Sequence, residues 1–152
     1  MAAPAVEGIE SEGPTQEKNM DLVGYFDTHE GTGVLATSDG DGWVDTALYV
    51  KPHVVDQETV AFVMKERLSH RNVKSNLHAA YLFMENAPGF QGVRLYLTLL
   101  REETNQTLVE TLRKKQPMMF PVADDSHKFV VFFHVDRTRP LVGDSPPSET
   151  GS

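Results

Sequence analysis

Residues 59–85 read Thr59-Val-Ala-Phe-Val-Met-Lys-Glu-Arg-Leu-Ser-His-Arg-Asn-Val-Lys-Ser-Asn-Leu-His-Ala-Ala-Tyr-Leu-Phe-Met-Glu85. Val60–Met64 and Ala79–Glu85 are short apolar runs of the kind that fit a pleated, buried surface. The segment between them is basic, and Ser69 is a natural N-cap for a short helix. Arg67, His70, Arg71 and Lys74 crowd the start of that helix. A helix N-terminus presents free backbone N–H groups and a partial positive charge. Cationic side chains added there make a site sized for a phosphate. Arg67, Arg71 and Lys74 fall at i, i+4 and i+7, on one side of the segment. The plainer alternative, a solvated basic face, stays open. Charge-assisted bonds from such groups contribute roughly 1.5–3 kcal/mol each before desolvation, enough together to hold a nucleotide cofactor.

The rest of the composition makes that cluster stand out. The chain has 152 residues, 22 Asp+Glu against 14 Lys+Arg, and a net charge of -8. That length predicts one domain, burying roughly 68–70% of the unfolded surface. An acidic chain argues against general nucleic-acid binding and against docking on an anionic membrane. Cysteine is absent, which excludes disulfides, thiolate nucleophiles and cysteine metal sites. The N-terminus shows no basic stretch followed by an apolar one, and no apolar run approaches a membrane span, so the expected location is cytoplasmic. Residues 1–19 and 143–152 are Pro-, Gly-, Glu- and Ser-rich and are expected to be disordered tails around a domain over 20–142.

Within that domain, Asp21–His29 predicts a short helix capped by Asn19 or Asp21, with Leu22, Val23 and Phe26 turned to the core. Strands are expected over Val34–Ser38 and Trp43–Val50, joined by the hairpin signal Asp39-Gly-Asp-Gly42. Lys51-Pro52 ends the second, and Val60–Met64 is the next. After the basic helix come strands over Ala79–Glu85 and Val93–Arg101, the latter alternating Val93, Leu95, Leu97 and Leu99 against Arg94, Tyr96 and Thr98. A helix is expected over Thr107–Gln116. The last strand, Lys128–Val135, is apolar on both faces, which predicts burial in a barrel wall or at a subunit contact. About six antiparallel strands with short connections point to a small closed or split β-barrel.

Other motifs carry less. Gly31-Thr-Gly33-Val-Leu-Ala36 imitates a dinucleotide fingerprint, but it follows a helix and opens a strand, the reverse of what that motif needs. None of the six histidines pair at ligand spacing on one face, so no metal site is expected. No nucleophile elbow and no P-loop is present.

Taken in order, Gly33-Val-Leu-Ala-Thr-Ser-Asp-Gly-Asp-Gly42, Thr46-Ala-Leu-Tyr-Val-Lys51, Phe62-Val-Met64 followed by Ser69-His-Arg-Asn-Val-Lys-Ser-Asn76, and Ala79-Ala-Tyr-Leu-Phe83 resemble the pyridoxamine 5′-phosphate oxidase-like, flavin-binding split-barrel family. The resemblance covers Leu22 to Leu141. It implies a mainly β fold, a six-stranded antiparallel split β-barrel, and a homodimer with FMN bound non-covalently between subunits. By position it implies that Thr46, Ala47, Leu48, Tyr49, Val50 and Lys51 run under the isoalloxazine and ribityl chain. Val63 and Met64 would meet the ribityl–phosphate end. Arg67, Ser69, His70, Arg71 and Lys74 would form the phosphate clamp, and Arg94 of the neighbouring subunit would approach the ring. The implied activity is flavin-dependent oxidoreduction, with hydride from NAD(P)H or an organic substrate; no side chain is named as catalytic. The pyridoxal phosphate-forming oxidases carry a further C-terminal segment with a tryptophan, whereas Trp43 is the only tryptophan in this chain, so pyridoxine phosphate oxidation is not expected. Related barrels bind deazaflavin or haem, and a carrier or redox sensor without turnover is the alternative to an enzyme.

Overall fold

The computed structural model describes residues 20–65, 67–114 and 128–143. The tail expected over 1–19, all but the first residue of that over 143–152, and the end of the helix expected to reach Gln116 lie outside them. Helix α1, Leu22–Thr28, begins where Asp21 Oδ1 accepts the Gly24 N–H at 3.1 Å. Gln57 locks this start from across the fold: its Nε2 donates to Asp21 at 2.7 Å and its Oε1 accepts the Leu22 N–H at 2.7 Å. Leu22 and Phe26 then face inward.

Strands β1, Gly31–Ser38, and β2, Val44–Leu48, form the expected hairpin. Asp39 Oδ1 accepts the N–H groups of Asp41 and Trp43 at 2.9 and 3.0 Å, and Gly42 takes φ 91°, open to glycine at little cost. β2 stops at Leu48, short of Val50, because the carbonyls of Tyr49 and Val50 turn to accept the Tyr81 hydroxyl at 2.8 and 3.0 Å.

The strand count is seven where six were expected. The added strand is β3, His53–Asp56, which pairs with β4, Thr59–Lys65, across a turn at Gln57 and Glu58. Pro52 reads as a stop, yet proline is tolerated just before an edge strand, and β3 is an edge. Helix α2, Leu68–Ser75, leads into β5, His78–Glu85; then follow β6, Gly92–Glu103, helix α3, Gln106–Arg113, and β7, Lys128–Pro140. All pairings are antiparallel, in the order β2-β1-β5-β6-β7-β4-β3.

The inward faces of this sheet share one core. Leu35, Phe62, Met64, Tyr81, Phe83, Leu95, Leu97 and Phe133 are at most 1% exposed and pack with Leu22 and Phe26 of α1 and Val73 of α2. A second cluster, Ala61, Val109, Val130 and Phe132 with Val63, Leu108 and Leu112, lies under α3. That helix explains the two-sided burial of β7: Val131 and Phe133 enter the main core while Val130 and Phe132 are roofed by α3. At Gly33 a Cβ would fall 1.8 Å from the Tyr81 hydroxyl oxygen and 2.4 Å from the Tyr49 carbonyl, so only glycine lets these groups close on β1.

Candidate functional site

The basic helix starts two residues earlier than its sequence suggests. Arg67, in extended conformation (φ −138°, ψ −171°), occupies the N-cap of α2, and Ser69 lies inside the first turn, buried. Ser69 therefore does not cap the helix; its hydroxyl lies near enough to the Tyr49 hydroxyl to pull that group's pKa down. Among the described residues no side chain caps α2 and no acidic residue stands in its first turn, so its leading N–H groups and positive end are open to a ligand or water.

Tyr49 stands against the edge of Phe62, ring centroids 5.5 Å apart. Burial pushes its hydroxyl up to about 12, against the opposing pull of the Arg67 cation and the Ser69 hydrogen bond. Tyr49, Arg67 and Ser69 thus meet at the N-terminus of α2. Arg71, one turn on, is exposed to solvent.

The other members of the expected clamp go elsewhere. His70 is 2% exposed, with Nε2 2.7 Å from Glu102 Oε1 and its ring stacked on Phe129 at 3.9 Å. Lys74 Nζ reaches the other Glu102 oxygen at 3.5 Å. Both tie α2 to the end of β6. Burial tends to raise the Glu102 carboxyl, but the His70 bond and charge and the Lys74 charge outweigh it and hold the group below the usual value. A depressed carboxyl contributes stability that is present above its unfolded value and lost as pH falls through its folded one. Glu102→Gln is therefore expected to flatten the loss of stability on acidification from about pH 5 downward, read by denaturant melts across that range. An unchanged slope would mean that Glu102 does not carry this linkage.

Lys51 Nζ donates to the Phe26 and His29 carbonyls at 2.7 and 3.2 Å and pairs with Glu30 at 3.1 Å, so it closes the C-terminus of α1. Met64 is fully buried in the main core and Val63 packs under α3. Ala47 lies between Thr46 and Leu48 on β2, on the opposite face from both.

Thr46 and Arg94 meet at a second feature. A cavity of about 300 Å³ opens on the outward face of β2-β1-β5-β6, lined by Val34, Ala36, Thr46, Ala80, Leu82, Arg94 and Tyr96 with Tyr81 beneath. Register explains it: Ala36 pairs with Thr46 and Ala80, and Ala80 with Tyr96, while Val34 pairs with Leu82 and Leu82 with Arg94. Two alanines side by side leave room that larger neighbours wall in. Arg94 is held at the rim, donating from Nε to the Pro140 carbonyl at 2.9 Å and from Nη2 to the Gly143 carbonyl. Beside the cavity Val44 and Leu48 stand 77% and 58% exposed on β2, whose outer backbone edge is unpaired within the sheet. The missed wall residues had a signal: apolar or small side chains at every second position on the solvent-facing side of β1 and β5.

No family model matches the sequence, and no curated protein matches it. Solved structures do. An FMN-binding protein from Syntrophomonas wolfei subsp. wolfei matches with a TM-score of 0.60 at 17% identity, over 73% of this chain and 77% of that one. HupZ from Group A Streptococcus matches with a TM-score of 0.62 at 15% identity, over 87% of this chain and 96% of that one. A candidate pyridoxamine 5′-phosphate oxidase from Lactobacillus delbrueckii matches with a TM-score of 0.55 at 20% identity, over 76% of this chain and 88% of that one. At these identities the likeness is one of fold.

Proposed function

With its fold that of the pyridoxamine 5′-phosphate oxidase-like split barrels, we propose that this chain binds FMN non-covalently, as a homodimer, and acts as a flavin-dependent oxidoreductase in the cytoplasm. The observation that carries the reading is the pairing of an uncapped, arginine-bearing helix N-terminus with an apolar cavity, joined by one edge strand. FMN has a dianionic phosphate, a flexible polyol and a flat aromatic ring, and the residues present fit each part. Two guanidinium forks, a hydroxyl and free helix N–H groups suit the phosphate. Thr46 lines the cavity and Tyr49, three residues on, stands at the helix start, roughly 10 Å along the chain. A polyol chain can cross that span over the free edge of β2.

Bound there, a flavin would supply hydride transfer to and from a nicotinamide or an organic donor. Arg67 and Arg71 hold the phosphate. The unpaired backbone edge at Thr46–Leu48 orients the ring by hydrogen bonds, and Val34, Leu82 and Tyr96 exclude water from it. The exposed Val44 and Leu48 are covered by the second subunit. Because His70 and Lys74 are engaged with Glu102, the clamp is narrower than the sequence suggests: Arg67, Ser69 and Arg71.

The visible spectrum of the purified protein, before and after added FMN, tests this. Flavin bands and consumption of NADH or NADPH on saturation are expected. A Soret band would replace FMN by haem, flavin bands without turnover would leave a carrier or sensor, and a protein that takes up no FMN overturns the reading.

A further inference from the structure

A carboxylate stands behind the helix whose N-terminus is open to an anion. Glu102, near the end of β6, pairs with Val131 of β7 and shares its core-facing side, against α2. Its side chain is 26% exposed, and both of its oxygens are engaged by that helix. His70 Nε2 lies 2.7 Å from Oε1, and Lys74 Nζ donates to Oε2 at 3.5 Å. These partners are i and i+4, so one carboxylate spans a full turn of α2. The other charged groups at this end of the sheet face away. Arg101 and Glu103 alternate to the α3 side, where Arg101 lies 4.0 Å over the Phe132 ring and pairs with Glu103 at 3.1 Å. Lys65 and Lys128, opposite each other in register, share the side of Val63 and Val130, again toward α3.

The contact fixes a proton and a direction. Against the upward push of burial, His70 and Lys74 keep Glu102 ionised. A carboxylate only accepts, so His70 carries a hydrogen on Nε2. The His70 ring, stacked on Phe129 at 3.9 Å and 2% exposed, is held in its plane as well. His70 is the third residue of α2, and its backbone N–H precedes the first intrahelical bond, from Arg71 N to Arg67 O at 3.0 Å. The second turn is anchored separately. Asn72 Nδ2 donates to Thr37 Oγ1 at 3.1 Å, Val73 enters the core, and Ser75 Oγ accepts the Gly40 N–H at 2.8 Å. The first turn has Ser69 beside Tyr49 and His70 against Glu102.

We propose that Glu102 is a positioning residue of the phosphate site: through His70 it sets the rotation of the first turn of α2, and with it the aim of the leading N–H groups and of Arg67 and Arg71. Through space a carboxylate opposes an incoming dianion. Its place here is therefore explained by what it holds, not by what it attracts. A donor set misaimed by a fraction of an ångström loses much of its grip. This rests on the reading that α2 receives the FMN phosphate.

Two variants separate reach from charge. Glu102→Asp keeps the carboxylate and draws it back by one methylene, whereas Glu102→Gln keeps the length and an acceptor oxygen and loses the charge. Glu102→Asp is expected to weaken FMN about tenfold with riboflavin within about threefold of wild type, and Glu102→Gln to bind FMN within about threefold of wild type or more tightly. Unchanged FMN affinity in Glu102→Asp, or a loss in Glu102→Gln as large as in Glu102→Asp, overturns the proposal. FMN and riboflavin falling together overturns it too, since that is the mark of a purely structural contact. A measurement on the wild type depends on no variant folding: ¹⁵N NMR of the imidazoles. His70 is expected as its Nε2–H tautomer above its titration, with that signal shifting on FMN and not on riboflavin. An Nδ1–H tautomer, or a signal blind to FMN, overturns the proposal. A wild type that binds no FMN sinks the flavin reading and this inference with it. A wild type that prefers FMN while Glu102→Asp keeps the preference sinks this inference alone.

Discussion

Replacing Arg67 and Arg71 together by alanine is expected to weaken FMN binding by about 10²-fold or more and to change riboflavin binding by less than about threefold. Riboflavin is FMN without its phosphate, so the comparison isolates that group. Two charge-assisted bonds at roughly 1.5–3 kcal/mol each correspond to about 10²- to 10⁴-fold, and the exposure of both arginines places the expected loss toward the lower end. Because the interaction is ionic, salt should weaken FMN on the wild type and have far less effect on the double variant. Fluorescence titration of both ligands at two ionic strengths measures all of this. Equal losses for FMN and riboflavin would place the phosphate elsewhere. The companion variant Lys74→Ala is expected to do less than either arginine, since Lys74 is directed at Glu102, 3.5 Å away.

Gly33→Ala is expected to cost about 3 kcal/mol or more of stability, a large part of the roughly 5–15 kcal/mol that such a domain has. The new Cβ would stand 1.8 Å from the Tyr81 hydroxyl oxygen and 2.4 Å from the Tyr49 carbonyl. That hydroxyl shares its one proton between the Tyr49 and Val50 carbonyls, so pushing it aside breaks this bifurcated bond where β2 hands over to the site. Tyr81→Phe alone removes the same donor and should cost roughly 1–3 kcal/mol. In the double variant the tightest contact, with the hydroxyl oxygen, is gone, while the ring Cζ at 2.3 Å and the Tyr49 carbonyl at 2.4 Å still meet the new Cβ. Its cost should therefore be clearly less than the sum of the singles, yet more than Tyr81→Phe alone. Additive costs in urea melts would mean that the two positions do not meet.

Much of this architecture is legible in the residues. The alternation of Val93, Leu95 and Leu97, the Asp-Gly turn and the strand–helix–strand stretch each report a local period or turn chemistry, and the elements found there begin or end within a few residues of expectation. What was not legible depends on partners distant in sequence. β3 is four residues long after a proline and becomes a strand only because β4 pairs with it. Nothing local tells that His70 turns inward to Glu102, 32 residues on, or that Lys51 closes α1, 22–25 residues back. The basic cluster was visible as composition, but its division into Arg67 and Arg71 at the helix start and His70 and Lys74 at β6 was not. The cavity was the least visible feature. Ala36 and Ala80 look unremarked in sequence and create space only because the β1–β5 register sets them side by side.

The most direct measurement is a ¹⁵N–¹H correlation spectrum of the wild-type protein titrated with FMN and, separately, with riboflavin. FMN is expected to shift the backbone amides of Leu68, Ser69, His70 and Arg71 strongly, and riboflavin to leave them nearly unmoved while both perturb Ala36 and Ala80. Amides 68–71 that stay in place under saturating FMN would contradict the account.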